Sequence, residues 1–292
     1  MEVGSPPPGG RGPHHRDPHH RGPHHTGPHR WGAAVNRRAP WVLVLPALVA
    51  LVFLVLPVAG LLVRAPWSTL GTRLAQPEIL DALRLSVVCA TLATVFCLIL
   101  GVPLAWVLAR VSFPGHRLVR ALVTVPLVLP PVVGGVALLL VLGRSGLVGQ
   151  WLYRWFGVSL PFTTAGVVVA EAFVALPFLV VSVEGALRAA DLRYEDAAAT
   201  LGASRWTTFR RVTLPLIAPG IGAGAVLCWA RALGEFGATI TFAGNFPGRT
   251  QTMPLAVYLA LENDPQAAIV LSLVLLAVSV VVLSGLRGRW VS

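Results

Sequence analysis

Residues 41–63 form a run of 23 residues without a charged side chain. At 1.5 Å per residue, a helix of this length crosses the ~30 Å hydrocarbon core of a bilayer. A secretory signal peptide is the alternative for an apolar run near an N-terminus, but its apolar region is only about 7–15 residues long. The run therefore predicts a transmembrane helix.

Further apolar runs follow along the chain and predict a polytopic membrane protein. They lie at residues 85–109, 121–143, 165–183, 214–234 and 267–286. Charged residues make up 12% of the chain, against about 25% in a typical soluble domain. We therefore expect an all-α fold with six transmembrane helices surrounded by membrane lipid. Several prolines lie within these runs, which membrane bundles tolerate because neighbouring helices satisfy the freed carbonyl groups.

The arginine distribution predicts the orientation of the spans. Residues 64–82, 144–162 and 237–266 form the loops on one side, and residues 110–120 and 184–213 form those on the other. The second set, together with the segments next to the two termini, carries twice as many arginines as the first. Because basic residues concentrate in cytoplasmic loops, both termini are predicted to be cytoplasmic.

Residues 1–40 form a region separate from the six-span domain that we expect in residues 41–292. Arg, Gly, Pro and His recur there in a five-residue pattern with almost no apolar side chains, which predicts a disordered cytoplasmic tail. The histidines are candidates for a divalent metal, but the repeat specifies no fixed geometry, so no metal site is predicted. They are His14, His15, His19, His20, His24, His25 and His29.

The absence of lysine limits the chemistry that this chain can perform. All 23 basic residues are arginine, whereas a phosphate-binding P-loop needs a lysine after its second glycine. The net charge of +11 is explained by the topology, so nucleic acid is not an expected partner. Cys89, Cys97 and Cys228 lie in apolar runs without metal-ligand spacing. We expect no cofactor, and we expect any ATP hydrolysis to be performed by a separate subunit.

Residues 188–213 form the longest cytoplasmic loop, and their pattern predicts two short helices. The first is rich in alanine and ends at Gly202, because glycine is the usual residue after the end of a helix. The second begins at Ser204, and Pro215 is expected to open the fifth span. An ordinary amphipathic loop helix is the plain alternative to a functional interpretation.

This loop resembles the signature loop of ABC importer permeases. The resemblance rests on Glu195, Ala197, Ala198, Gly202, Leu214 and Pro215. One residue is inserted after the glutamate, and Val212 replaces the usual isoleucine of the pattern. The resemblance implies that the loop docks into a cleft of an ATP-binding subunit, and that a homodimer of this chain works with two copies of that subunit. Alanines permit close approach, and Glu195 is expected to pair with charges across the interface.

Residues 230–258 resemble the permeases of oxyanion importers. The segment Arg-Ala-Leu-Gly-Glu-Phe-Gly-Ala is similar to both molybdate and sulfate permeases. The extension Thr-Ile-Thr-Phe-Ala-Gly-Asn, followed by Arg-Thr-Gln-Thr-Met-Pro-Leu-Ala, is more similar to the molybdate branch. The resemblance implies molybdate as the substrate and an external oxyanion-binding protein as a partner. A sulfate or tungstate permease remains the alternative.

Charged and polar residues near the fifth span are candidates for the translocation path or its gate. Arg231 and Glu235 are four residues apart and face the same side of a helix, with Glu171 as a third partner. A mutually neutralising pair that only stabilises the bundle is the alternative. Thr239, Thr241 and Asn245 are candidates for neutral hydrogen-bond donors to an anion, with a polar re-entrant loop as the alternative.

Two other functional classes are compatible with a polytopic chain. A membrane-embedded enzyme needs a catalytic constellation at membrane depth, but His116 is the one histidine outside the tail. A proton-coupled secondary transporter would work without an ATPase. The signature loop favours an ATP-driven importer over both.

Overall fold

The computed structural model describes residues 41–287, and the predicted disorder of residues 1–40 lies outside that range. The chain divides into two compact units, residues 1–52 and 53–292. In the first unit the described residues are the first half of helix α1. The second unit contains the rest of α1 and all later helices.

The described residues form α-helices and one π-helical turn, with no strand among them. This confirms the predicted all-α class. The helices are α1 (Trp41–Val63), α2 (Leu70–Leu74), α3 (Pro77–Arg110), α4 (His116–Val128), α5 (Pro131–Leu142), α6 (Gly149–Phe156), α7 (Thr164–Ala189), α8 (Arg193–Thr200), α9 (Arg205–Thr208), α10 (Leu214–Leu233), α11 (Gly237–Ala243), α12 (Met253–Asn263) and α13 (Pro265–Arg287), and the π turn is Phe209–Thr213.

Five of these helices are long and apolar enough to cross a membrane. Helix α1 has the predicted bounds, and α7, α10 and α13 contain or closely match the predicted spans. Helix α3 begins at Pro77, eight residues before the predicted span. The reason is that Pro77 occupies the first turn of the helix, where its missing N–H costs nothing.

The third predicted span, residues 121–143, is not a single straight helix. Helices α4 and α5 meet there at an angle of 119°, and the six predicted spans are reached if this bent pair counts as one. The bend lies at Leu129 and Pro130, directly before Pro131. Two consecutive prolines remove two backbone donors and exclude the α conformation from the residues before them, which ends the first helix.

The segments predicted as outer loops contain helices of their own. Helix α2 lies within residues 64–82, α6 within residues 144–162, and both α11 and α12 within residues 237–266. Helix α11 packs on α5 and α7, and α12 packs on α13 and α3. These helices have 5 to 11 residues, so their hydrophobic pattern is too short to identify them without the packing partners.

Helices α3, α7 and α10 form the centre of the second unit. Their contact surfaces include buried small residues such as Ala90 and Ala93 on α3 and Ala175 on α7. A Cβ atom at Gly101 would lie 3.0 Å from Leu176 Cδ1, and one at Gly224 would lie 3.0 Å from Ser182 Cβ. Small residues at such positions let membrane helices approach closely, which is how helices associate in lipid.

Candidate functional site

The docking loop, residues 188–213, projects two helices joined by a tight corner. Helix α8 ends in a Schellman-type motif, in which Ala203 N–H donates to Ala198 C=O and Gly202 N–H donates to Ala199 C=O, each at 3.0 Å. Gly202 has φ +79° and open space around it. The predicted end of the first helix at this glycine is confirmed, because only glycine adopts this conformation without strain.

The second helix of the docking loop continues directly into the membrane. Ser204 caps α9, since its Oγ accepts a 3.2 Å hydrogen bond from Thr207 N–H. Residues Arg205–Leu233 then form one helical stretch that contains the π turn Phe209–Thr213. Pro215 lies in the first turn of α10, as predicted, but α10 is continuous with the π turn and α9 before it. The π turn lies directly before Pro215. Proline has no N–H to donate, and the i→i+5 hydrogen bonds of a π turn allow the helix to continue past it.

The exposed surface of the docking loop includes large apolar and aromatic side chains among its charged ones. Leu201 is 88% exposed, Trp206 68% and Tyr194 60%. The Trp206 ring stacks on Phe209 with centroids 5.8 Å apart, and Phe209 meets Trp106 of α3 edge-to-face at 6.1 Å. An exposed, rigidly held aromatic group of this kind is typical of a protein-binding surface.

Glu195 of the docking loop forms an ion pair within the chain. Its Oε1 lies 2.9 Å from Arg110 Nη2 at the end of α3, and the side chains are 20% and 13% exposed. The expectation that Glu195 pairs across an interface stays a prediction. Ala197 is exposed and Ala198 is half-buried, so one alanine of the signature is available for close approach by a partner.

A second charged cluster joins the N-terminal part of α4 to the C-terminal part of α7. Glu184 accepts hydrogen bonds from Arg188, at 2.9 Å from Nη2, and from Arg120 of α4. His116, the first residue of α4, is hydrogen-bonded to Leu108 C=O of α3 at 2.7 Å. This pairing was not predicted from the sequence. The four-residue spacing of Glu184 and Arg188 is the signal that identifies part of it.

Arg231 and Glu235 form the ion pair that their spacing predicts. Arg231 Nη2 lies 2.7 Å from Glu235 Oε2, and the Glu235 side chain is 1% exposed. Glu235 Oε1 accepts a 2.8 Å hydrogen bond from Ala238 N–H at the start of α11. One carboxylate thus holds the end of α10 and the first turn of α11 together.

Glu171 of α7 is not part of that ion pair. Its side chain is buried, and Oε2 has no hydrogen-bond partner among the described residues. The Arg231 guanidinium pairs with Glu235 alone in the part of the chain that the structure covers. The Oγ1 of Thr239 and the Oδ1 of Asn245 are likewise buried without a described partner. Three candidate residues therefore keep unused hydrogen-bonding capacity in the interior of the protein.

Thr241 is used for packing between α5 and α11. Its Oγ1 donates to Gly237 C=O and lies 3.5 Å from Val132 C=O of α5. A Cβ atom at Gly135 would lie 2.9 Å from Ala238 C=O, and one at Gly237 would lie 2.9 Å from Pro131 Cβ. The side chain of Thr241 is thus engaged in the α5–α11 contact.

Two open volumes lie next to the candidate regions. A groove of about 690 Å³ is lined by apolar side chains of α1, α12 and α13 together with Phe236. A cleft of about 450 Å³ separates the docking loop from the end of α3 and is lined by Arg110, Glu195 and Arg205 among others. Neither volume is lined by Arg231, Glu235, Thr239, Thr241 or Asn245, so their role in a path stays a prediction.

Comparison with known proteins places these features in a transport context. The profile of the family described as "Binding-protein-dependent transport system inner membrane component" matches residues 98–291. The molybdenum transport system permease protein ModB of Mycobacterium tuberculosis is 49% identical over 245 residues, covering 84% of this chain and 92% of the relative. The sulfate transport system permease protein CysT of Escherichia coli is 36% identical over 234 residues, covering 79% and 84%.

A solved structure resembles the fold with little sequence similarity. A crystal structure of a bacterial ABC transporter involved in the import of the acidic polysaccharide alginate aligns with a TM-score of 0.71 at 19% identity. The alignment covers 86% of this chain and 94% of the matched chain. At this level of identity the likeness concerns the arrangement of helices.

Proposed function

The chain belongs to the family of binding-protein-dependent transport system inner membrane components, and we propose that it is the permease subunit of an ATP-driven importer that moves molybdate across the bacterial inner membrane. The observation that carries this proposal is the 49% identity to a molybdenum transport permease along nearly its whole length. The geometry of the docking loop supports the same proposal.

The chain itself is not an enzyme. It contributes a membrane pathway and a docking surface, and a separate subunit hydrolyses ATP. The exposed Leu201, Trp206 and Tyr194 form the apolar part of the surface offered to that subunit, while the Gly202 corner sets the angle between the two docking helices. Aromatic side chains held in place on one helical segment supply contact area at low entropic cost.

Transport proceeds by alternating outward and inward openings in this proposal. Two copies of the chain form a homodimer, and each copy docks one of two ATP-binding subunits. An external oxyanion-binding protein delivers the substrate, and both termini are cytoplasmic. Binding of ATP brings the two ATPase subunits together, and the docking loops transmit that movement to the membrane helices.

The translocation path in this proposal runs past the junction of α10 and α11. Arg231 and Glu235 act at the gate, and the Thr239 hydroxyl is a neutral donor without a described partner, whereas the unpaired Glu171 Oε2 and Asn245 Oδ1 are acceptors. Thr241 maintains the α5–α11 contact. Neutral donors suit the passage of a dianion, because a tight cationic site would release it slowly.

A sulfate permease is the second candidate, since a sulfate transport relative is 36% identical, and tungstate is a third substrate. Uptake of labelled molybdate by a strain that lacks its own oxyanion importers tests this choice. We expect uptake that depends on the ATPase subunit and is inhibited more by excess tungstate than by excess sulfate. Stronger inhibition by sulfate would contradict the molybdate assignment.

The energy source is tested in vesicles that contain the chain, the ATPase subunit and the external binding protein. Uptake should require ATP on the side of the membrane where the ATPase subunit is bound. It should persist when a protonophore removes the proton gradient. Uptake that disappears with the proton gradient and ignores ATP would instead indicate a secondary transporter.

A further inference from the structure

The ion pair between Arg110 and Glu195 is largely shielded from water. The exposed fractions of the two side chains are 13% and 20%, and Arg110 Nε is buried. A charge-assisted hydrogen bond of 2.9 Å in such surroundings is stronger than a pair on the surface, because water competes with it less.

Helix α8 has few other attachments to the membrane helices. No residue of α8 is buried, and the helix packs on α9 and on the π turn that follows it. The bond from Glu195 to Arg110 adds a direct connection from α8 to α3, across 85 residues of sequence. Without that connection, α8 would be held by its short chain link to the end of α7 and by its packing on α9 and the π turn.

Helix α3 is well placed to pass a displacement into the membrane. Several of its residues, between Ala90 and Leu108, belong to the same buried cluster as residues of α7 and α10. Arg110 is the last residue of this 34-residue helix. A force applied to α8 therefore reaches the centre of the helix bundle through the Arg110 guanidinium.

The neighbouring acid on α8 faces outward. Asp196 is exposed and has no ion pair among the residues that the structure describes, whereas Glu195 is turned towards α3. A cation on a docked subunit would meet Asp196 before it met Glu195. Asp196 thus presents its charge to the outside of the loop, whereas the charge of Glu195 is paired within the chain.

We propose that Arg110 is a positioning residue which, through its ion pair with Glu195, couples the docking loop to α3 and leaves the exposed Asp196 as the acid of α8 that faces the ATPase subunit. The role of the ion pair in transport rests on the proposed importer function. The pairing of Arg110 with Glu195 rests on the geometry of the single chain. The proposal assigns to the ion pair the transmission of ATPase movement into the membrane helices.

Charge exchange in the complete importer tests this role. Arg110→Glu and Glu195→Arg should each lower the amount of molybdate transported per ATP hydrolysed by about tenfold, the size of coupling expected for two contacting charges. The double variant Arg110→Glu/Glu195→Arg should recover most of the loss, because the two charges still face each other. The ratio of transport to hydrolysis is the informative readout, since a change in protein quantity does not alter it.

Arg117 provides a matched control. It is exposed and has no ion pair within the described part of the chain. The double variant Arg117→Glu/Glu195→Arg has the same net charge as the exchange at Arg110 and should recover nothing. Failure of the Arg110 exchange to improve on Glu195→Arg, or equal recovery with Arg117, would overturn the proposal.

A measurement on the full chain alone keeps this proposal distinct from the importer function. In detergent, Arg110→Gln should speed backbone hydrogen exchange in residues 193–201 by about tenfold, whereas Arg117→Gln should not change it. Equal exchange in both variants would overturn the pairing even if the importer works as proposed. Conversely, failure of molybdate uptake with unchanged exchange results would contradict only the proposed substrate.

Discussion

Glu235 binds Arg231 at the end of α10 through Oε2, at 2.7 Å, while its Oε1 accepts a hydrogen bond from the first turn of α11. The two carboxylate oxygens of Glu235 thus make different contacts, and substitutions can remove one contact at a time. Arg231→Ala leaves a buried carboxylate without its cation and should destabilise the protein by about 3 kcal/mol. Glu235→Gln keeps an acceptor for Ala238 N–H and should cost about 1 kcal/mol. Thermal unfolding in detergent measures both, and equal costs would contradict the division of tasks.

The same pair has a predicted role in the translocation path that stability alone does not test. The double variant Arg231→Met/Glu235→Gln removes both charges and should unfold near the wild-type temperature, because no buried charge is left unpaired. If the pair acts at the gate, this variant should still lose most molybdate uptake. Normal uptake by the stable double variant would reduce the pair to a structural role.

Gly202 is predicted to be essential to docking through its backbone conformation. Its φ of +79° is unfavourable for other residues, while the surrounding space is open. Gly202→Val should therefore introduce about 1–2 kcal/mol of strain at the corner and reduce co-purification of the ATPase subunit, whereas Gly202→Asn should be tolerated better. Gly157 has φ +67° and is equally open at the end of α6. Gly157→Val is the control, and it should leave co-purification unchanged.

Gly135 is predicted to set the distance between α5 and α11. A methyl group there would lie 2.9 Å from Ala238 C=O and would also collide with Thr241. Gly135→Ala should lower the free energy of unfolding by about 1–3 kcal/mol, the usual cost of overpacking. Gly185→Ala on α7 meets no atom within 4 Å and serves as the control. A Gly135→Ala protein with an unchanged unfolding temperature would contradict the close packing of these helices.

An ion pair between α2 and the residue directly before α13 predicts a pH dependence. Arg73 Nη1 lies 2.7 Å from Asp264 Oδ2, and its hydrogen bond holds the pKa of Asp264 below the ordinary value of 3.8. Since folding lowers this pKa, the stabilisation is present above pH 3.8 and is lost as the pH falls through the lowered pKa.

Unfolding temperatures measured against pH test that sign. The difference between wild type and Asp264→Asn should be constant near neutral pH and shrink below pH 3.8. Glu78→Gln, a change at an exposed acid of α3, controls for general charge effects. A difference that grows as the pH falls would mean that Asp264 does not stabilise the folded state through its charge.

Much of the fold was predictable because membrane spans depend on local composition. The run at residues 41–63 became α1 with the same bounds, since length and absence of charge determine a span almost alone. The bend at Pro130 was harder to foresee, because prolines such as Pro103 and Pro177 lie within continuous helices. Whether a proline bends or ends a membrane helix depends on neighbours that can satisfy the freed carbonyls.

The contacts at the candidate sites were likewise predictable only where the two residues are close in sequence. Arg231 and Glu235 could be paired from the sequence because four residues bring them to one side of a helix. Glu195 and Arg110 could not, because they are 85 residues apart and their contact depends on how α8 sits against α3. The glutamate was therefore recognisable from the sequence, whereas its partner Arg110 was not.

The π turn at Phe209–Thr213 gives the docking loop a constraint on length. One extra residue within an otherwise regular helix shifts the rotational phase of everything before it by about 100° relative to everything after it. Trp206 and Arg231 consequently point in directions that depend on this single inserted residue. Deleting one residue between them would restore an ordinary α-helix and at the same time turn the docking surface by roughly a quarter to a third of a circle away from its present bearing on α10.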